Sequence, residues 1–229
     1  MAKPTTPIKA LSRFVQLLDG NFPSGGFVHS YGLEAHVVLE QVTTSDTLET
    51  YLHNVVQDQY RRFEFPFVNR VFQCLETGNL GALVKADNRY SAMQHQAFAA
   101  ASVSIGRNYL RHIGTPIETP AVQAYFDAVA QGQSRGNELA VLGAYAFELG
   151  LERELFLLLW CKKSLMALTL ASLKITRIRP SDIQQILFRI DEAIEASIDT
   201  SSVTVENFNP LFEEIVYRHP YLEPKLFMT

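Results

Sequence analysis

Apolar positions along the chain recur three and four residues apart far more often than they alternate, the periodicity of helices that bury one face. Ile8, Leu11, Phe14, Val15 and Leu18 form one such stripe, ended by Gly20 and Pro23. Asp46, with Glu49 three residues on, predicts a capped helix start. Leu48, Tyr51, Leu52, Val55 and Val56 continue that helix at the spacing of one buried face. Pro66 removes a backbone donor and clashes with the preceding turn, which predicts a kink or break. Phe67, Val68, Val71, Phe72 and Leu75 then resume the stripe as far as Gly78. Small residues (Ala97, Ala99, Ala100, Ala101, Ser102, Gly106) predict a tightly packed central helix within 91–110. Thr119-Pro120 reads as a helix start, with threonine as cap and proline at the first helical position. Further helices are predicted over 121–130, 138–149 and 152–173, with Gly150 as a stop. Ser181-Asp182 opens another, with Ile183, Ile186, Leu187, Ile190 and Ile194 on one face.

From Asp199 to Thr204 the chain turns polar, which reads as a linker. Beyond it Phe208, Phe212, Tyr217, Tyr221 and Phe227 are interspersed with Pro210, Pro220 and Pro224, which prevent a long helix. Aromatics without periodicity suit a segment that docks on a larger surface, or equally one packed on its own core. Only Val203-Thr204-Val205 is even briefly strand-like, and no repeat is visible. The expected fold is all-α: a single-domain bundle of roughly eight to ten helices. It occupies 1–198, with a linker and partner-docking tail over 199–229.

Composition narrows the function. A formal charge of −4, spread rather than blocked, lacks the basic footprint of a nucleic-acid binder or of a protein held on an anionic membrane. The most apolar stretch, 155–173, has the length of a membrane span but carries Lys162 and Lys163 near its middle. Each would cost about 3 kcal/mol at a bilayer centre, so a buried core helix is expected instead. The N-terminus has no apolar secretory region. Cys74 and Cys161 are isolated core-type cysteines, and the expected compartment is the cytoplasm.

The motifs that carry chemistry are mostly missing. Gly25-Gly26 has no following Lys-Ser/Thr and so is not a phosphate loop, and GxGxxG and GxSxG are absent. No glutamate has histidine three residues later, as a helical di-iron site requires. His29 and His36, seven residues apart, would lie roughly 10 Å apart along one helix. Glu49 and His53 form an ordinary i,i+4 pair, and His95 and His112 are solitary. Ser24 lies near His29, which leaves a hydrolase-like reading open, with His36 as a further candidate, though no orienting acid is recognisable. From the residues alone, the glycine elbow over 22–34 is first a well-built turn between two helices, with Phe22 and Phe27 flanking it and Ser30 able to cap the next helix.

The run Leu17-Leu18-Asp19, then Phe22-Pro23-Ser24-Gly25-Gly26-Phe27-Val28-His29-Ser30-Tyr31-Gly32-Leu33-Glu34, resembles the N-terminal signature of the urease accessory protein UreF family. That pattern is approximately L-L-D-x-x-x-P-x-G-G-F-x-H-S-x-G-L-E. At the other end, Asn207-Phe208-Asn209-Pro210-Leu211 resembles the family's S-F-x-P-x-L, His219 matches a tail histidine, and Lys225-Leu226-Phe227-Met228-Thr229 resembles R-L-F-x-S. Ala101-Ser102 with Gly106-Arg107 and Leu110 is similar to a middle helix of the family. The chain departs from the pattern over 176–182, where a P-L-G-Q-like turn is common, and at Pro220, Lys225 and Thr229.

The resemblance implies a non-catalytic, helical, dimeric protein without a resident cofactor. It implies a complex with a UreD/UreH-type protein and the GTPase UreG that delivers nickel to apo-urease. It also implies that Pro23, Ser24, Gly25, Gly26, Phe27, His29, Ser30, Gly32, Leu33 and Glu34 shape a partner-facing motif. Phe208, Pro210, His219, Lys225, Leu226 and Phe227 belong to the docking tail in the same way. Two other readings stand beside it: a helical enzyme built on Ser24 and His29, and a helical adaptor unrelated to urease.

Overall fold

Helix α1 (Ile8–Leu18) buries Ala10, Phe14 and Leu17. Ile8 and Val15, expected on its inner stripe, are exposed instead, so the helix is turned toward the core by its alanine and Leu17. The computed structural model describes residues 8–26, 29–206, 217, 221 and 226–228. Among these the elements are α1, α2 (Leu33–Val38), α3 (Ser45–Asn54), a π-helix (Val55–Glu64) and α4 (Phe65–Glu76). They continue with α5 (Leu80–Met93), α6 (Gln96–His112), α7 (Pro120–Ala130), α8 (Glu138–Glu148), α9 (Arg153–Ile175), α10 (Pro180–Arg189) and α11 (Asp191–Ser197). The described residues contain no strand, and the fold is the expected all-α bundle.

Where the helix ends differ from expectation, local hydrogen bonding explains it. Thr44, not Asp46, caps α3: its hydroxyl accepts the Thr47 N–H at 3.2 Å, and the Thr47 hydroxyl accepts the Thr44 N–H at 2.9 Å. That reciprocal box occupies the position before Asp46 could act. Thr119 does precede α7, but the Glu148 carboxylate, not the threonine hydroxyl, accepts the Glu118 and Thr119 N–H groups. Gly150, at φ 69°, ends α8 as expected; Leu151 N–H returns to Ala146 O and Gly150 N–H to Phe147 O. The isoleucine face read as one helix is divided at Ile190 into α10 and α11.

Pro66 does not break its helix. The chain passes from α3 through ten residues of π-helix directly into α4, and the Phe65 N–H reaches back five residues to Tyr60 O. The wider turn accommodates the ring. Arg62 O, which an α-helical residue 66 would have served, accepts the Glu206 N–H at 3.0 Å. The same neighbourhood holds the rest of the 199–206 segment: buried Asn69 donates to Asp199 O and Ser202 O, each at 2.7 Å.

The innermost helix is α8 rather than the one expected within 91–110. Nine of its eleven residues, Glu138 to Ala146, are buried, as for a helix apolar all round. The 91–110 region is itself divided, with α5 ending at Met93 and α6 starting after His95. Gly106 lets α6 meet the start of α8, because a Cβ there would lie 2.2 Å from Gly136 O and 2.8 Å from Glu138 N. Asp87, buried on α5, fixes that junction. Its carboxylate accepts from Tyr125 Oη, Ser134 Oγ, Gly136 N, Asn137 N and Asn137 Nδ2. Helix α9 is long and apolar enough to cross a membrane, yet Phe156, Leu157, Trp160, Cys161 and Leu165 bury it in the core. The two lysines near its middle are paired, Lys162 with Asp191 and Lys163 with Glu138.

Candidate functional site

The elbow is built on α6. After α1, Phe22 N–H turns back to Asp19 O at 3.0 Å, and the Phe22 ring stacks on Tyr109 with centroids 5.2 Å apart. Buried Ser24 is gripped through its carbonyl, which accepts from Asn108 Nδ2 at 3.0 Å. Its hydroxyl accepts the Gly26 N–H at 3.4 Å and also bonds the Tyr109 side chain. Gly25 has φ 85°, where a side chain is strained, whereas a Cβ at Gly26 would meet only ordinary contacts at 3.7 Å and beyond. Gly25→Ala is therefore expected to lower stability by about 1 kcal/mol and Gly26→Ala to be near neutral, read as the difference between their urea midpoints.

Tyr31 (φ 49°) and Gly32 (φ 89°) then turn the chain into α2. Ser30 Oγ accepts the Glu34 N–H at 3.4 Å, and the His36 ring nitrogen Nδ1 donates to Gly32 O at 2.8 Å. Burial holds both His29 and His36 below their ordinary range; for His29 the charge of Glu138 opposes it, and for His36 the bond to Gly32 does.

The two motifs from opposite ends of the sequence meet here. Glu34, 1% exposed, accepts Leu226 N–H at 2.6 Å on one carboxylate oxygen and Phe227 N–H at 3.2 Å on the other. Phe227 is buried in the core under the Lys174 ammonium, which lies 5.4 Å from its ring centre. Leu226 and Met228, on either side, are exposed. Of the residues expected to matter, Ser24, Ser30, Gly32, Leu33, Glu34 and Phe227 are buried, Gly25, Gly26 and His29 are partly so, and Pro23 and Leu226 are exposed. Phe27, Phe208, Pro210, His219 and Lys225 lie outside the described residues.

Behind the elbow, a chamber of about 1130 Å³ opens between α3, the π-helix and α9, with Gly26, His29, Tyr31 and Phe227 in its wall. Periodicity gave no sign of it. The charged groups in its wall include Lys163 and Glu138, paired at 2.7 Å, buried Glu64, and Asp19, Asp58 and Lys174. Burial pulls the Lys163 pKa down, but Glu138 and Tyr109 outweigh it and hold the ammonium above its usual range.

Glu64 has no such partner among the described residues. Burial pushes its carboxyl up to about 8, against hydrogen bonds from Gln59 at 3.2 Å and from Tyr90. The folded chain thus keeps a proton that the unfolded chain releases from its ordinary value of 4.5 upward. The resulting stability is complete below about pH 4.5 and is lost as pH rises through about 8. Glu64→Gln should flatten this dependence and melt several degrees above the parent at pH 9. Parallel melting curves from pH 6 to 9 would contradict it.

Among the described residues, no group of three or more His, Cys, Asp or Glu side chains is placed to hold a metal. What the geometry provides is a buttressed turn, a latched C-terminal strip with apolar side chains facing out, and a chamber.

Residues 42–191 match the family model described as UreF. Over 226 residues the sequence is 24% identical to a urease accessory protein UreF of Bacillus sp. (strain TB-90), covering 96% of this chain and 99% of that one. It is 23% identical over 218 residues to the protein of the same name from Paenarthrobacter aurescens (strain TC1), covering 93% of this chain and 96% of that one. A third, from Haemophilus influenzae (strain PittGG), is 25% identical over 224 residues, 93% of this chain and 95% of its own length. The family match begins after the elbow and stops before the tail.

Proposed function

This chain belongs to the UreF family of urease accessory proteins, and from that premise we propose that it is a non-catalytic scaffold for nickel insertion into apo-urease. In this reading it bridges a UreD/UreH-type protein and a UreG-type GTPase, works as a homodimer, and acts in the cytoplasm. The observation that carries the reading is the Glu34 latch. It joins the elbow to the C-terminal strip, turning Phe227 inward as an anchor and leaving Leu226 and Met228 exposed. Two outward apolar side chains on a strip fixed by its own backbone form a pre-ordered contact, which spares a partner the cost of ordering it.

Ser24 supports the same reading, since its hydroxyl serves the turn through Gly26 and Tyr109. Residues outside the described set, among them Phe208, Pro210, His219 and Lys225, complete the docking tail in this proposal. The test is co-expression with a UreD-type protein. Leu226→Asp with Met228→Asp should abolish its capture while the melting temperature holds, because both side chains are already in water. Undiminished capture would remove the strip from the interface.

A further inference from the structure

One face of α4 carries Pro66, Asn69, Phe72 and Glu76, spaced three, three and four residues apart, and all four bear on the segment over 199–206. Asn69 is fully buried, where an apolar side chain would ordinarily sit, and its Nδ2 donates to Asp199 O and to Ser202 O at 2.7 Å each. Arg153 Nη1 donates to Thr200 O at 3.1 Å, with its guanidinium fixed by Glu76 at 2.6 Å and lying over the Phe72 ring. Pro66 has no N–H to offer Arg62 O, which leaves that carbonyl for the Glu206 N–H at 3.0 Å. All four of these bonds end on backbone atoms of the segment. The segment itself forms neither helix nor strand and none of its residues is buried. Val205 packs against the core while Val203 is exposed, and Asp199 closes the turn internally by accepting the Ser201 N–H at 2.8 Å.

We propose that this face of α4 is a backbone clamp and that 199–206 is a releasable strap, which opens as one unit while the helices stay folded. A segment held through its backbone, with little apolar burial of its own, belongs to the part of a protein that opens locally. On release its carbonyls pass to water at small cost, because the strap already lies at the surface. Opening frees eight residues, about 26 Å of extended chain, at the root of the C-terminal segment. Pro66 is a positioning residue here: Pro66→Ala would supply an N–H that competes with Glu206 for Arg62 O. A buried asparagine and a proline inside a continuous helical run are each unfavourable for the helix alone, and the strap accounts for both. The inference concerns this chain by itself and does not depend on the proposed partners.

Native-state amide exchange on the full-length protein tests it. In the parent, the Glu206 N–H should exchange through a local opening, at a rate unchanged by low urea and at least about tenfold faster than the slowest amides of α8. Asn69→Leu, of similar volume, and Pro66→Ala should each speed that exchange about tenfold further. Because a urea-independent rate is blind to global stability, a change in melting temperature does not disturb the reading. If one variant fails to fold, the other decides. A Glu206 amide that exchanges only together with α8, or that keeps its parent rate in either folded variant, would overturn the strap.

Discussion

Asp87→Ala is expected to destabilise the chain by at least about 4 kcal/mol, a large part of the 5–15 kcal/mol that typically holds a domain together. The alanine would remove the acceptor shared by Tyr125, Ser134, Gly136 and Asn137, and four of those donors would stay buried with nothing to replace it. Each such orphan costs about 1–3 kcal/mol, and the sum is less than additive because the loop can relax. The consequence reaches the site. The 134–137 segment sets where α8 begins, Gly106 brings α6 against it, and α6 supplies the Asn108 and Tyr109 on which the elbow rests. Urea unfolding should show a midpoint well below that of the parent; an unchanged midpoint would mean the network is dispensable.

The second large effect belongs to Glu34. Glu34→Ala removes both acceptors of the C-terminal strip and opens a gap beside Leu33, at an expected cost of about 3 kcal/mol. Glu34→Gln keeps one oxygen and turns an N–H₂ toward the other backbone donor, so it should cost roughly half as much. The two variants should lose capture of a UreD-type partner in the same order. Amide hydrogen exchange at Leu226 and Phe227 separates the latch from general destabilisation. Both amides should exchange faster in Glu34→Gln while those of α8 stay protected. Equal exchange in parent and variant would show that Phe227 burial alone holds the strip.

These two residues also mark where the sequence stopped being informative. Local signals carried well: α7 begins at Pro120 and α8 stops at Gly150, where the pattern put them, although Glu148 rather than the Thr119 hydroxyl serves the start of α7. Helix α5 was missed because its strongest signal is the Asn79 side chain capping Ala82 N–H, with only Leu83, Asp87, Tyr90 and Ser91 buried along it. A buried aspartate and tyrosine do not form an apolar stripe. Pro66 misled for a related reason, since a π-turn and the distant Glu206 N–H relieve a clash that local rules treat as a break.

For the candidate site, the elbow was visible as a signature but its purpose was not. Glu34 looks in sequence like one more helix-start acid, and its partners lie 192 and 193 residues away. The chamber was invisible for the same reason: Tyr51, Glu64, Gln94 and Trp160 come from four separate stretches and share no spacing. Resemblance could point to the elbow and the tail, but only the fold brings Glu34 to Leu226 and Phe227.

The central claim is that this chain bridges two other proteins, and one measurement addresses it directly. A tagged UreD/UreH-type protein is co-expressed with a UreG-type GTPase, with and without this chain, and the retained complex is weighed by light scattering. The account predicts that the GTPase is retained only when this chain is present, in one complex containing two copies of it. Retention of the GTPase to the same extent in its absence would contradict the bridge.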